Sequence, residues 1–317
     1  MALDHYVSQV HLKRFYSPAL GELLYAIRKS DLKRFTPNAK SVCRIDEGNT
    51  NQYLSEPRII EEFLKTVEGR YNRAVSALES GNPDRHSIYV VSGFTAYVLT
   101  CSPAAIRIHS VPLRGALEMA TQILERTGEI PAPPSELGGG TLTELLESGK
   151  VVLGIDPKYP QAVGIASIFQ KIAMLGNGRW EILVNDHTDC PFFTSDFPVT
   201  VEAAADSSVL NWIVPLSPRI AARMRSGSKR SRDDTNFDFR GFSWDRRAVT
   251  RHQAVEINRL LVRSAEDTVF FSDDQAWITR FIAKNRHFRV DAENFHGPVA
   301  GGVGQVSRLA ILPFKRA

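Results

Sequence analysis

The stretch SEPRIIEEFLKTVEGRYNRAVSALESGN, residues 55–82, constrains the fold more than any other part of the chain. Ile60, Phe63, Leu64, Val67, Tyr71, Val75 and Leu78 recur three and four positions apart. That spacing gathers them on one face of an α-helix and leaves the charged residues on the other. Ser55 stands where an N-cap is expected, Pro57 falls in the first turn, and Gly81-Asn82-Pro83 stops the helix. The following segment, SIYVVSGFTAYVLTC (87–101), reads as a buried helix. It is shorter than a bilayer span and contains Ser, Gly and Thr.

Helical character continues to about residue 175. One helix is expected after Ser110, with Pro112 early, running to about Thr127, and another over Gln161–Leu175, ending at Gly176-Asn177-Gly178. EIPAPPSELGGGTL between them is a loop. Beyond Gly178 the periodicity becomes that of strands. RWEILVND and FFTSDFPVTVE read as a hairpin joined by HTDCP, and LNWIVPLSP as a third strand. RHQAVEINRLLVRSA is a helix with Val255, Leu260 and Leu261 inward. DTVFFS is a strand, DQAWITRFIAKNRH a helix and RLAILPF a final strand. A further hairpin over the first 25 or so residues would turn at Pro18 to Gly21. Helices first and strands later predict an α+β fold, mainly helical in its N-terminal half, with a mostly antiparallel sheet in its C-terminal half. The expectation is a single domain over residues 1–317, with a soft internal boundary near residue 176.

With 43% hydrophobic and 23% charged residues, the chain can build a substantial core. The first residues, MALDHYVSQVHLKRF, lack the basic and then apolar pattern of a signal peptide. Three widely spaced cysteines, Cys43, Cys101 and Cys190, fit a reducing compartment better than a disulfide framework or structural zinc. A cytoplasmic location with no membrane association is therefore expected. The net charge of +4 is uneven: residues 219–251 hold ten Arg or Lys and four Asp. Within this window, SGSKRSRDDTN carries Lys229, Arg230 and Arg232. Such a segment either attracts phosphates or is a solvated linker.

H-E-x-x-H, Walker-type and G-x-S-x-G patterns do not occur. GGGTL lacks the lysine of a phosphate loop. Two stretches are more informative. In DHYVSQVHLKRF, read as a strand, His5, Val7 and Gln9 share a face, with Lys13 and Arg14 just beyond. His5 and Gln9 would then aim at one ligand, or form the polar outer face of an edge strand. In CPFFTSDFPV, Thr194-Ser195-Asp196 interrupts two extended runs, and Pro198 keeps Phe197 extended. The triplet is either a bend made by side-chain-to-backbone bonds or a pair of polar groups facing a pocket. Ser195 has no nucleophile elbow. Glu61 and Glu68 lie on one side of the first helix, roughly 10 Å apart. They are either solvated surface or two cation ligands needing a third.

HYVSQVHLKRF, IIEEFLKTVEGR, FFTSDFPV, VPLSP and EINRLLVRSA, in this order, resemble the bacterial family catalogued as domain of unknown function 4238. Its members open with H-Y-V-P-Q-x-x-L-[KR]-x-F and carry a central F-x-x-S-D-x-P. Ser8 stands here where the family usually has proline. The resemblance spans almost the whole chain and implies His5, Gln9, Glu61, Glu68, Ser195, Asp196 and Asn258 as motif positions. It leaves their roles open.

Two functions fit these residues. One is a nuclease-like hydrolase acting on nucleic acid or nucleotides, of a bacterial defence or toxin type. There His5 is the general acid or base, and Asp196 and Glu68 orient it or hold a divalent metal such as Mg²⁺ or Mn²⁺. Gln9, Arg14, Ser195 and Asn258, with Lys229, Arg230 and Arg232, would hold the substrate. The other is a noncatalytic binding or sensor module whose polar motifs form a buried network that fixes the fold.

Overall fold

The computed structural model describes residues 2–203, 209–225, 237–299 and 302–314. The chain opens with β1 (Leu3–His5), α1 (Gln9–Lys13), β2 (Tyr25–Arg28), β3 (Arg34–Phe35) and β4 (Arg44–Asp46). The hairpin expected in this region does not form. β1 pairs antiparallel with β4, His5 opposite Arg44, and the chain leaves β1 to enter a helix at Gln9. Residues 5–10 are therefore not one strand, and His5 and Gln9 do not share a strand face.

The long amphipathic stretch becomes two helices, α2 (Ile59–Glu68) and α3 (Tyr71–Glu79), broken at Gly69-Arg70. All seven apolar seam residues are nevertheless buried. The N-cap of α2 is Arg58, not Ser55. The Pro57 carbonyl accepts from the Asn51 N–H at 2.8 Å, which ties that turn to the preceding loop. α4 (Arg85–Cys101) lies at the centre, against α2, α3, α5, α7 and α8. At Gly93 an added Cβ would sit 2.8 Å from a Val67 methyl, so glycine lets α2 and α4 approach closely.

α5 (Pro103–Arg126) starts earlier than Ser110 and runs through Pro112. Its real start is Ser102-Pro103. The Ser102 hydroxyl accepts from the Ala105 N–H at 3.1 Å, and Pro103 fits a first turn, where its missing N–H costs nothing. α6 (Leu142–Glu147), α7 (Lys158–Ala166) and α8 (Ile168–Gly176) follow, the last two divided at Ser167 where one helix was expected.

The strand-rich half adds β5 (Arg179–Val184), β6 (Thr194–Ser195), β7 (Thr200–Ala203), β8 (Leu210–Pro215), β9 (Ile220–Arg225) and β10 (Ser243–Ala248). After these come α9 (Arg251–Ser264), β11 (Thr268–Phe271), α10 (Ile278–Asn285), β12 (Phe288–Val299) and β13 (Gly302–Pro313). A five-stranded sheet has the order β10-β5-β9-β8-β7, antiparallel except for β10 against β5. A four-stranded antiparallel sheet has the order β3-β2-β11-β6. β12 and β13 form a twelve-residue hairpin. The fold is α+β, with helices mostly in the N-terminal half and antiparallel sheets in the C-terminal part.

β5 and β6 belong to different sheets, so the expected hairpin across HTDCP is absent. Part of the basic window is strand, namely β9 and β10; Lys229, Arg230 and Arg232 lie outside the described residues. One large core cluster joins α2–α5, α7 and α8 to residues of β5, β8 and β9. Two smaller clusters flank α9, one taking Phe192 and the other Phe193. No single helix among the described residues is long and apolar enough to cross a membrane.

Ser8 links β1 to α1 and is buried, with φ −56° and ψ 135°. Its hydroxyl has no hydrogen-bond partner, and its N–H donates to no group among the described residues. That φ is one proline adopts. Ser8→Pro is expected to stabilise the fold by about 0.4–1 kcal/mol, chiefly by restricting the unfolded chain. The urea midpoint should rise with an unchanged m-value.

Candidate functional site

The two informative stretches do meet, but through residues other than those nominated from sequence. His11, on α1, is fully buried. Its Nδ1 lies 2.8 Å from the Tyr71 hydroxyl on α3, and its Nε2 2.8 Å from the Thr194 hydroxyl on β6. The ring stacks on Phe94 of α4 at 4.6 Å. Burial, with Arg14 adding to it, pulls the imidazole from 6.5 down to about 3. The ring is therefore neutral: one nitrogen donates and the other accepts, and either hydroxyl can serve either role. The missed signal was helical spacing. With α1 a helix, His11 and Phe15 share a face and point inward together, 5.3 Å apart.

The Thr-Ser-Asp triplet is a bend built by its own side chains. The Ser195 hydroxyl accepts from the Phe197 N–H at 3.1 Å. Asp196 is 6% exposed, and its carboxylate accepts from three successive backbone N–H groups: Glu266 (2.9 Å), Asp267 (2.8 Å) and Thr268 (2.8 Å). Its own N–H donates to the Thr268 carbonyl at 3.0 Å. These bonds dock the start of β11 beside β6. Burial raises the Asp196 carboxyl to about 6, against the pull of the amides at Thr268 and Asp267 and of Lys29.

Asn258, buried on α9, does for the approach to β6 what Asp196 does for its exit. Its Oδ1 accepts from the Phe193 N–H (2.9 Å), and its amide donates to the Pro191 carbonyl (2.8 Å). Ser195, Asp196 and Asn258 are thus bonded to backbone on both sides of β6.

Of the remaining nominated residues, His5, Gln9, Glu61 and Glu68 lie around Tyr97, and Arg14 bonds elsewhere. His5 is half-buried, its Nε2 3.2 Å from the Lys40 carbonyl and its Nδ1 3.5 Å from the Gln9 amide nitrogen. The His5 carbonyl accepts from the Tyr97 hydroxyl, which also bonds Asn49 Oδ1. Glu61 accepts from Asn49 (2.6 Å) and Arg58 (3.1 Å). Glu68 is half-buried and has no hydrogen-bond or ion-pair partner among the described residues. Arg14 donates to Glu79 (2.7 Å) and to the Leu216 carbonyl (3.2 Å). Among the described residues, no hydrogen bond joins His5 or Gln9 to Ser195 or Asp196, and no group of three or more His, Cys, Asp or Glu converges as metal ligands would. The link is electrostatic: the Asp196 carboxylate helps to raise the Tyr6 phenol and the Cys43 thiol, after burial itself.

A second feature was not anticipated. Between α3 and the first turn of α4 lies a cleft of about 320 Å³, lined by Arg70, Arg73, Ala74, Ala77, Asp84, His86, Ser87 and Val90. Arg70, Arg73 and His86 have no acidic partner within ion-pair distance among the described residues. Asp84 is committed to capping α4, accepting from the Ser87 N–H at 2.7 Å. At the adjoining α3–α4 turn, Arg246 of β10 lies 4.0 Å from where a Gly81 Cβ would be.

The family described as Protein of unknown function (DUF4238) matches residues 4–275. The chain belongs to that family. Neither a curated protein nor a solved structure matches it. The DUF4238 region contains both ends of every bond made by His11, Asp196 and Asn258, and stops before α10 and the β12–β13 hairpin.

Asp196→Asn turns one acceptor into an NH₂ facing backbone N–H donors. A buried donor left unpaired costs about 1–3 kcal/mol, so the variant should lose roughly 2–4 kcal/mol, read as a lowered thermal midpoint.

The pH dependence has opposing parts. As pH falls through 6.5, the unfolded chain protonates at His11 and the folded one does not, so this group lowers stability until the folded ring titrates near 3. Asp196 acts oppositely between 6 and 3.8, where the folded form binds its proton first. The separable observable is the ring itself. Nitrogen chemical shifts should show His11 as a neutral tautomer, unmoved between pH 8 and 5.

Proposed function

We propose that this DUF4238 protein is a noncatalytic binding module, acting in the cytoplasm, that holds a phosphate-bearing ligand of the nucleotide or nucleic-acid class in the cleft between α3 and α4. One observation carries the noncatalytic part. His11 and Asp196, the groups at which the two motifs meet, are buried and bonded to other parts of the fold. A general acid or base must reach the proton it transfers, and neither side chain lines the α3–α4 cleft. The ligand class rests on the cleft. Two arginines and a histidine, none within ion-pair distance of a carboxylate among the described residues, suit phosphate oxygens, and arginine binds these bidentately. Asp84 in the same cleft interacts with Arg73 and His86 at longer range while capping α4.

A second reading, phosphodiester hydrolysis with Mg²⁺ or Mn²⁺ in a defence or toxin setting, is favoured by His5 and Glu68, whose side chains remain half-exposed. The same assay separates the two. Fluorescein-labelled single-stranded RNA and DNA are titrated at several salt concentrations and then incubated with either metal. Arg70→Gln/Arg73→Gln, at the N-cap and on the exposed side of α3, should weaken binding at least tenfold and reduce the salt slope by about 1–2. Lys229, Arg230 and Arg232, changed together to Gln, form the control arm. If the affinity is lost there and kept in the cleft variant, the cleft is not the site. Strand cleavage that depends on His5 would replace the binding module with the hydrolase.

A further inference from the structure

A second cavity, of about 100 Å³, lies where the helical half meets the sheet. Its walls are Leu99, Ile108, Met174, Phe197, Trp212 and Leu309, drawn from α4, α5, α8, the segment after Asp196, β8 and β13. Lys171 and His109 also line it. The lysine ammonium donates to the Thr100 hydroxyl (3.0 Å) and the Gly164 carbonyl (3.2 Å), both neutral, and has no carboxylate partner among the described residues. Its burial brings it down to about 8, so it remains mostly charged at neutral pH. The neighbouring Cys101 thiol, pushed up to about 12 by burial, supplies no negative charge. On α5, His109 holds the Leu99 carbonyl at 2.9 Å, and burial lowers its pKa. A half-buried cation beside an apolar cavity with no counter-charge is an unfavourable arrangement.

We infer that this cavity binds a small apolar carboxylic acid, its chain among Leu99, Ile108, Met174, Phe197 and Trp212 and its carboxylate paired with Lys171. At about 100 Å³ the cavity has room for about three waters at ~30 Å³ each, roughly the bulk of a three- to four-carbon chain. The site is separate from the basic cleft, and neither depends on the other.

The experiment is calorimetric titration of the full chain with butyrate and with butanol, which has the same chain without the charge. Butyrate should bind at least tenfold more tightly than butanol, and Lys171→Met should abolish that preference while butanol binding persists. Equal affinity for the two, undetectable butyrate binding, or a preference surviving in Lys171→Met would each overturn the inference. If Lys171→Met does not fold, Met174→Trp serves instead. Met174 is 42% exposed and stands on the cavity wall, so the larger ring fills the space and should remove both ligands. Binding that persists in Met174→Trp places the site elsewhere and overturns the inference equally.

Discussion

A single carboxylate holding three consecutive amides decides how the strand-rich half of this protein closes. Asp196 gathers the N–H groups of Glu266, Asp267 and Thr268, and β11 starts where they end. Once β11 is fixed, β2 and β6 have their partner on either side. The residues before Asp196 are secured in the same way by Asn258 and by His11, so a two-residue strand acquires contacts from α1, α9 and β11, and His11 links it on to Tyr71 of α3. Networks of this kind favour one arrangement because each member lacks an alternative partner once water is excluded.

The broad division into helices and strands was legible because it is written in periodicity. The seam from Ile60 to Leu78 is buried as its spacing requires, although Gly69-Arg70 breaks the helix beneath it. Local signals were weaker where tertiary contacts decided the outcome. Pro112 suggested a helix start but lies inside α5, whose start is set by Ser102-Pro103. β10 has no buried face to create an alternation, being an edge strand exposed at all six positions. It forms because β5 is available beside it.

Of the candidate site, the sequence showed the right stretches and the wrong atoms. Reading residues 5–10 as one strand favoured His5 and Gln9. The helical start at Gln9 brings His11 inward instead, to a hydroxyl that pattern could not point to. Thr194 was passed over for its neighbours Ser195 and Asp196, since nothing local distinguishes a hydroxyl that receives a distant histidine from one in an ordinary bend. The cleft was harder still to see. Arg70 and Arg73 look like a solvated helix face, and only the turn into α4 brings His86 opposite them.

The bond between His11 and Thr194 closes a loop of 183 residues. During synthesis, everything needed to pack α2, α3 and α4 has left the ribosome long before Thr194 is added. If the helices pack in that interval, the His11 imidazole beside Tyr71 and Phe94 has no Thr194 hydroxyl for its second nitrogen. Water must reach that nitrogen, or the helices must stay loosely joined around it. The early part of the chain therefore completes its hydrogen bonding at His11 only when β6 is present. Its last adjustment waits for the strand that arrives second, and the order of translation becomes a constraint on the order of folding.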